Sequence, residues 1–156
     1  MNVKLLSILA ATTLFTACSS LSDTVSTEQC KAVSEQEIMQ LFDRWNASLK
    51  SGDVKQVVAN YAADSVLLPT VSNKVRLTAE EKEDYFHHFL ANAPAGTIDQ
   101  RHIQIGCNTA SDVGLYTFTY GKTGKKHSGR YSFNYRWDGK AWLITHHHSS
   151  LMPEKK

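Results

Sequence analysis

Familiar catalytic signatures are missing from this chain. It has no Cys-x-x-Cys pair, no glycine-rich phosphate loop and no Ser/His/Asp series, so no motif encodes a redox dithiol, a nucleotide cradle or an activated nucleophile. Proline is scarce, with three residues in 156, and no internal repeat or low-complexity tract interrupts the chain. Neither sign of charge dominates: 17 Lys+Arg stand against 15 Asp+Glu, a formal +2, which excludes a nucleic-acid footprint. The densest basic run, Lys122, Lys125 and Lys126, falls in a Gly-containing turn and reads as a solvated hairpin tip. No apolar run approaches the roughly 20 residues that a membrane-spanning helix needs. What remains suits one globular domain. At about 130 residues it buries roughly two-thirds of its unfolded surface and needs no metal or disulfide to fold.

The N-terminus is a processing segment. Lys4 precedes the largely apolar stretch Leu5 to Phe15, the length of a signal-peptide core. The ending Leu14-Phe15-Thr16-Ala17-Cys18 resembles a bacterial lipobox, with Phe15 in place of the usual Leu. Residues 1–17 are therefore expected to be a lipoprotein signal peptide, Cys18 the lipidated residue, 18–33 the acylated cysteine and linker, 34–153 a single domain and 154–156 a tail. An ordinary signal peptide or a core helix are the alternatives, and the polar stretch Ser19 to Thr27 speaks against both. Loss of the leader removes Lys4 and leaves a charge of +1. Ser19 implies the periplasmic face of the outer membrane in a Gram-negative host. Export makes Cys30 and Cys107 candidates for a disulfide, the alternatives being two buried thiols or a catalytic cysteine.

The mature chain reads as helices followed by strands. Ser34-Glu35-Gln36-Glu37 fits a capping box, and Ile38, Leu41, Phe42, Trp45 and Leu49 follow on one helical face. Ser51-Gly52 stops this helix and Asp53 caps a short second one, with Val57, Val58 and Tyr61 inward. Ser65 to Leu68 is a short strand ended by Pro69. Thr78-Ala79-Glu80-Glu81 opens a third helix with a buried stripe of Tyr85, Phe86, Phe89 and Leu90, terminated by Pro94 and Gly96. The period then changes to two over 98–105, 113–120, 127–137 and 141–149, four strands of an antiparallel meander, with Asp138-Gly139 as the strongest hairpin signal. The fold class is α+β: a cone-shaped, curved antiparallel sheet wrapped around N-terminal helices, its mouth a natural pocket.

This order, with Leu41-Phe42-Asp43-Arg44-Trp45-Asn46, Ser51-Gly52-Asp53, Tyr61 to Pro69 and Arg130-Tyr131-Ser132-Phe133, resembles the nuclear-transport-factor-like, cystatin-like cone superfamily. The ending Asp138 to Pro153 narrows the resemblance to the association, or hub, domain of calcium/calmodulin-dependent protein kinase II and its stand-alone bacterial relatives. The resemblance implies a homo-oligomer, by default a homodimer. The chain carries no kinase. Kinase hubs line a pocket with arginines that take small carboxylates, and matching places Thr117, Ser132 and Ser149 at those positions. Arg130, two residues before Ser132 on the same strand face, is then the replacement cation for a small polar or anionic ligand.

The candidate ligand pocket is accordingly Trp45, Asn73, Arg130, Ser132, His146, His148 and Ser149. In His146-His147-His148, alternation puts His146 and His148 on one face and His147 on the other. That limits a metal to two of them, with His87, His88, His102 and Asp112 as unassembled further donors, so no metal or cofactor is expected. His146 or His148 as a general acid/base in a small isomerase- or dehydratase-type cone enzyme is the alternative function, with Asp43 and Asp64 as the acids to accompany it. Trp45, Tyr131, Phe133, Tyr135 and Trp142 are read as core or dimer face, and Tyr116, Phe118 and Tyr120 as an extension of that face. Asn73, Lys74 and Arg76 belong to a loop at the cone mouth. The expected function is a membrane-tethered, oligomerising cone domain that binds a ligand or partner without chemistry.

Overall fold

A computed structural model describes residues 29–153. The leader, Cys18 and residues 154–156 lie outside the described residues. Helices α1 (Glu35–Lys50) and α2 (Val54–Val58) are followed by β1 (Tyr61–Leu68), α3 (Ala79–Leu90), β2 (Pro94–Ile105), β3 (Thr109–Tyr120), β4 (Lys126–Trp137) and β5 (Trp142–Leu151). Both capping boxes form: Ser34 pairs with Glu37 at the start of α1, and Thr78 with Glu81 at the start of α3. Each satisfies backbone N–H groups that the first helical turn leaves without partners.

The five strands make one curved, unclosed sheet in the order β1-β5-β4-β3-β2. β2 to β5 are the antiparallel meander, and β1 is added parallel to β5. The first strand thus pairs with the last, a connection that local sequence does not announce. Pro94 does not terminate α3, which stops at Leu90; it opens edge strand β2, where a missing N–H is tolerated.

α1 lies on the concave face of the sheet. Its Ile38, Leu41, Phe42, Trp45 and Leu49 are buried with Tyr116 and Phe118 of β3, Tyr131, Phe133 and Tyr135 of β4, and Trp142 and Ile144 of β5. The aromatic residues are therefore cone interior. Tyr116 and Phe118 do not extend an outer dimer face, because their register with β4 puts them on the same side as Tyr131, whose ring centroid is 5.2 Å from that of Tyr116. The opposite face carries polar side chains, among them Arg130, Ser132 and Asn134. Asn46 fastens α1 to the edge strand, accepting from Gly96 N–H and donating to Gly96 C=O, both at 2.8 Å.

Lys82 is a core residue that periodicity does not reveal. One helical turn before Phe86, it faces inward with 1% exposure, and its Nζ donates to Ser65 O at 2.9 Å and Leu77 O at 2.7 Å. The ammonium ties α3 to β1 and to the preceding loop, and burial holds its pKa below the usual lysine value.

Cys30 and Cys107 form a disulfide across 77 residues of sequence. It joins the segment before α1 to the β2–β3 turn, where Lys31 N–H also donates to Asn108 Oδ1. In the chain-entropy model a loop of this size contributes about 4 kcal/mol, so Cys107→Ser should lower the unfolding free energy by that order in chemical denaturation. Gly114 faces the bulge in β2 between Ile98 and Gln100, where an added Cβ would sit 1.9 Å from the carbonyl oxygen of Gln100. Gly114→Ala is expected to cost about 3 kcal/mol through forced strand separation. Gly124→Ala, at a positive-φ position with open space around it, should cost only about 1 kcal/mol.

Candidate functional site

A cavity of about 300 Å³ opens at the end of the cone where β3 and β5 finish and β4 begins. Trp45 of α1, Tyr85, Phe86 and Phe89 of α3, and Tyr116, Phe118 and Tyr120 of β3 supply most of the wall. Thr70, His127, Ser128 and Ser149 supply hydroxyl and imidazole groups, and His147 lies in the wall beside Trp45. The hydroxyls of Thr70, Ser149 and Tyr116 form a hydrogen-bonded chain. No Lys, Arg, Asp or Glu is among the lining residues.

His147 is the central polar group. Its ring stacks on Phe133 with centroids 4.1 Å apart and meets Trp45 edge-on. Trp45 Nε1–H donates to Tyr61 Oη at 3.1 Å, and Tyr61 Oη lies 2.7 Å from His147 Nδ1. Indole N–H is donor-only, so Tyr61 accepts there and its own hydrogen is free for Nδ1. Donation from Nδ1 would leave two buried groups unpaired, the Tyr61 hydroxyl hydrogen and the Nε2 lone pair, against one, the Nε2 hydrogen, in the other tautomer. The consistent tautomer carries its proton on Nε2, a buried atom with no hydrogen-bond partner. Burial, with a smaller contribution from His148, lowers the His147 pKa to about 3, and burial raises that of Tyr61 well above the normal tyrosine value. The Tyr61–His147 pair is uncharged at neutral pH.

The expected site residues divide between the two faces of the sheet. Trp45 and Ser149 line the cavity. Arg130 and Ser132 do not: they stand on the outer face, where Arg130 Nε donates to Ser150 Oγ at 3.2 Å. His146 and His148 are exposed on that face too, and the inward histidine is His147. The cause is a register shift between β4 and β5. Ile144 pairs with Tyr135 but His146 pairs with Asn134, so Thr145 is an extra residue and the alternation reverses after it. Asn73 is exposed in a shallow depression beside Lys74 and His148, outside the cavity. Arg76 is half-buried, its guanidinium over Tyr85 and paired with Asp84, so it anchors the loop at the mouth.

The acids expected to accompany a catalytic histidine are elsewhere. Asp64 pairs with Arg136 at 2.8 Å and Asp43 is exposed. Asp112 is fully buried, in an ion pair with Arg101 at 3.0 Å, and accepts from Tyr131 Oη at 2.8 Å. None of these residues lines the cavity. Among the described residues no three His, Cys, Asp or Glu side chains gather as a metal site.

The model of the calcium/calmodulin-dependent protein kinase II association domain matches residues 34–153. The chain belongs to that family. A protein from Xanthomonas campestris named for the same association domain is 45% identical over 84% of this chain and all of its own, with a TM-score of 0.72. A cystatin-like-fold protein of unknown function from Nostoc punctiforme is 20% identical, covering 81% of this chain and 96% of its own at a TM-score of 0.68. An NTF2-like protein of unknown function from Pseudomonas putida is 19% identical, covering 82% and 93% at 0.69. The last two show the shared α+β cone fold. No curated protein matches this chain.

The His147 environment generates a pH dependence. The unfolded chain takes a proton on this imidazole near pH 6.5 and the folded chain only near 3, so between these values the unfolded state binds more protons and stability falls as pH drops. The unfolding free energy of wild type relative to His147→Phe should decline by up to about 1.4 kcal/mol per pH unit below pH 6. Urea titrations at pH 7, 6, 5 and 4 give this difference, and a pH-independent difference would contradict the buried neutral imidazole.

Proposed function

We propose that this association domain is a lipid-anchored, exported protein that self-assembles and holds a small organic ligand in its cone cavity. The observation that carries the ligand reading is the cavity of about 300 Å³ itself, walled mainly by aromatic side chains with the hydroxyls of Thr70, Ser128 and Ser149 among them. Assembly is supported by family membership. The cation expected to favour an anion, Arg130, is on the other side of the sheet. The acid/base enzyme alternative has less support: no carboxylate lines the cavity, and an imidazole with its pKa near 3 is a weak base at neutral pH.

The anchor reading rests on Cys18 and on where the chain enters the fold. Twelve peptide links separate Cys18 from Cys30, a reach of at most about 40 Å. Cys30 is pinned to the β2–β3 turn, at the end of the strands away from the cavity mouth. On this reading the tether leaves the fold at the end opposite the cavity mouth.

Labelling cells with an alkyne fatty acid should mark the wild-type protein, and Cys18→Ser should abolish the label and release the protein to the soluble extracytoplasmic fraction. Unchanged labelling of the variant would contradict acylation at Cys18. Light scattering on the soluble domain from Ser22 should give a mass of two or more chains, and a monomer throughout the micromolar range would contradict self-assembly.

A further inference from the structure

We propose that the cone cavity takes an uncharged, compact apolar molecule about the size of two fused rings, and not the carboxylate that the kinase hub resemblance implies. This rests on the ligand-binding reading above and names the class of molecule.

Size and shape follow from the space and its walls. An apolar cavity of about 150 Å³ accommodates benzene, so one of about 300 Å³ has room for roughly two rings. Trp45, Phe86, Phe89, Tyr116 and Phe118 line it from two helices and one strand. The rings of Trp45 and Phe118 meet edge-on with centroids 6.2 Å apart, and those of Phe89 and Phe118 with centroids 5.4 Å apart. A flat ring system extends this packing. The mouth is apolar as well. Among the described residues, Val71 and Leu151 line the cavity and are 67% and 53% exposed, and the exposed Leu68 and Val75 line the depression beside it. A guest that fills the cavity therefore also removes apolar surface of Val71 and Leu151 from water.

Neutrality follows from what the wall lacks. An ionised ligand group would lose its water with no Lys or Arg in the lining to meet it, and that is far more costly than burying an apolar one. The two cations in the adjoining depressions are already paired, Lys74 with Glu81 at 2.8 Å and Arg76 with Asp84. Arg130 is on the outer face of the sheet, and burial keeps His147 neutral. The hydroxyls of Thr70, Ser149 and Tyr116 are occupied with one another, and His127 packs on Tyr120 with ring centroids 4.7 Å apart. The carboxylate expected from the kinase hub resemblance therefore has no counter-ion in this cavity.

Three probes separate charge from shape: naphthalene, 2-naphthoate, which adds one carboxylate to the same body, and 1-octanol, an uncharged chain. Binding to the intact soluble domain at pH 7 is titrated by ligand-observed NMR, and the methyl signals of Leu67, Val71 and Leu151, all of them lining residues, locate the probe. Naphthalene is expected to bind at least about tenfold more tightly than 2-naphthoate, and more tightly than 1-octanol, with these methyls moving on saturation. Val71→Lys puts a cation at the mouth on a side chain that is already exposed, so the fold is kept. It should strengthen 2-naphthoate about threefold and leave naphthalene within about twofold. In the wild type, 2-naphthoate as tight as naphthalene would overturn the uncharged class, and 1-octanol as tight as naphthalene would replace the compact body with a chain. An unchanged preference in Val71→Lys would overturn the missing cation as the cause. In each of these cases the cavity would still be a binding site. Failure of all three probes to move the lining methyls would overturn this inference together with the ligand-binding reading beneath it.

Discussion

The hydrogen-bonded run from Trp45 through Tyr61 to His147 is the constraint around which the rest of this molecule is arranged. It joins α1, the first strand and the last strand at one point inside the cone, and each member is buried by aromatic neighbours. In such surroundings an unpaired polar atom is costly, so the three side chains must meet in one relative placement. That placement fixes how α1 lies across the sheet and brings β1 alongside β5 as the sheet's outermost strand. Asn46 on Gly96 and Lys82 on the carbonyls of Ser65 and Leu77 repeat the device at the periphery, where a polar side chain inside the fold satisfies backbone groups that no ladder reaches.

The same run decides what the cavity is. Because Tyr61 has to accept from an indole, its hydrogen goes to Nδ1 and the imidazole shows its remaining proton on the other nitrogen. Burial holds that imidazole neutral. The result is a neutral imidazole packed among rings, its Nε2 enclosed by the protein. The buried Arg101–Asp112–Tyr131 cluster, by contrast, has its charge matched within the protein and plays a packing part near the N-terminal half of α1.

Much of this was legible in the residues. Two capping boxes mark the starts of α1 and α3, the i, i+3, i+4 stripe from Ile38 to Leu49 marks the face of α1, and Asp138-Gly139 marks the last hairpin. The family resemblance, read from the Leu41 to Asn46 segment and the His-rich ending, agrees with the family match over residues 34–153. Trp45 and Ser149 were expected at the pocket and line it. His147, Tyr61 and Lys82 were not assigned their parts. A lysine one turn from a buried phenylalanine looks like solvated helix, and a strand read by strict alternation puts His146 and His148 where His147 stands.

By itself, the sequence determined the local elements, the α+β class and the single-domain core, since these depend on spacing, capping and turn chemistry within a few residues. Only the tertiary structure decided which face of β5 looks inward. One extra residue at Thr145 reverses the alternation, and the bulge that absorbs it exists only when β5 is paired with β4. The parallel partnership of β1 with β5, the tautomer of His147 and the absence of a cation from the cavity are decided at the same level. Each is a relation between residues far apart in the chain, and periodicity carries no record of such relations.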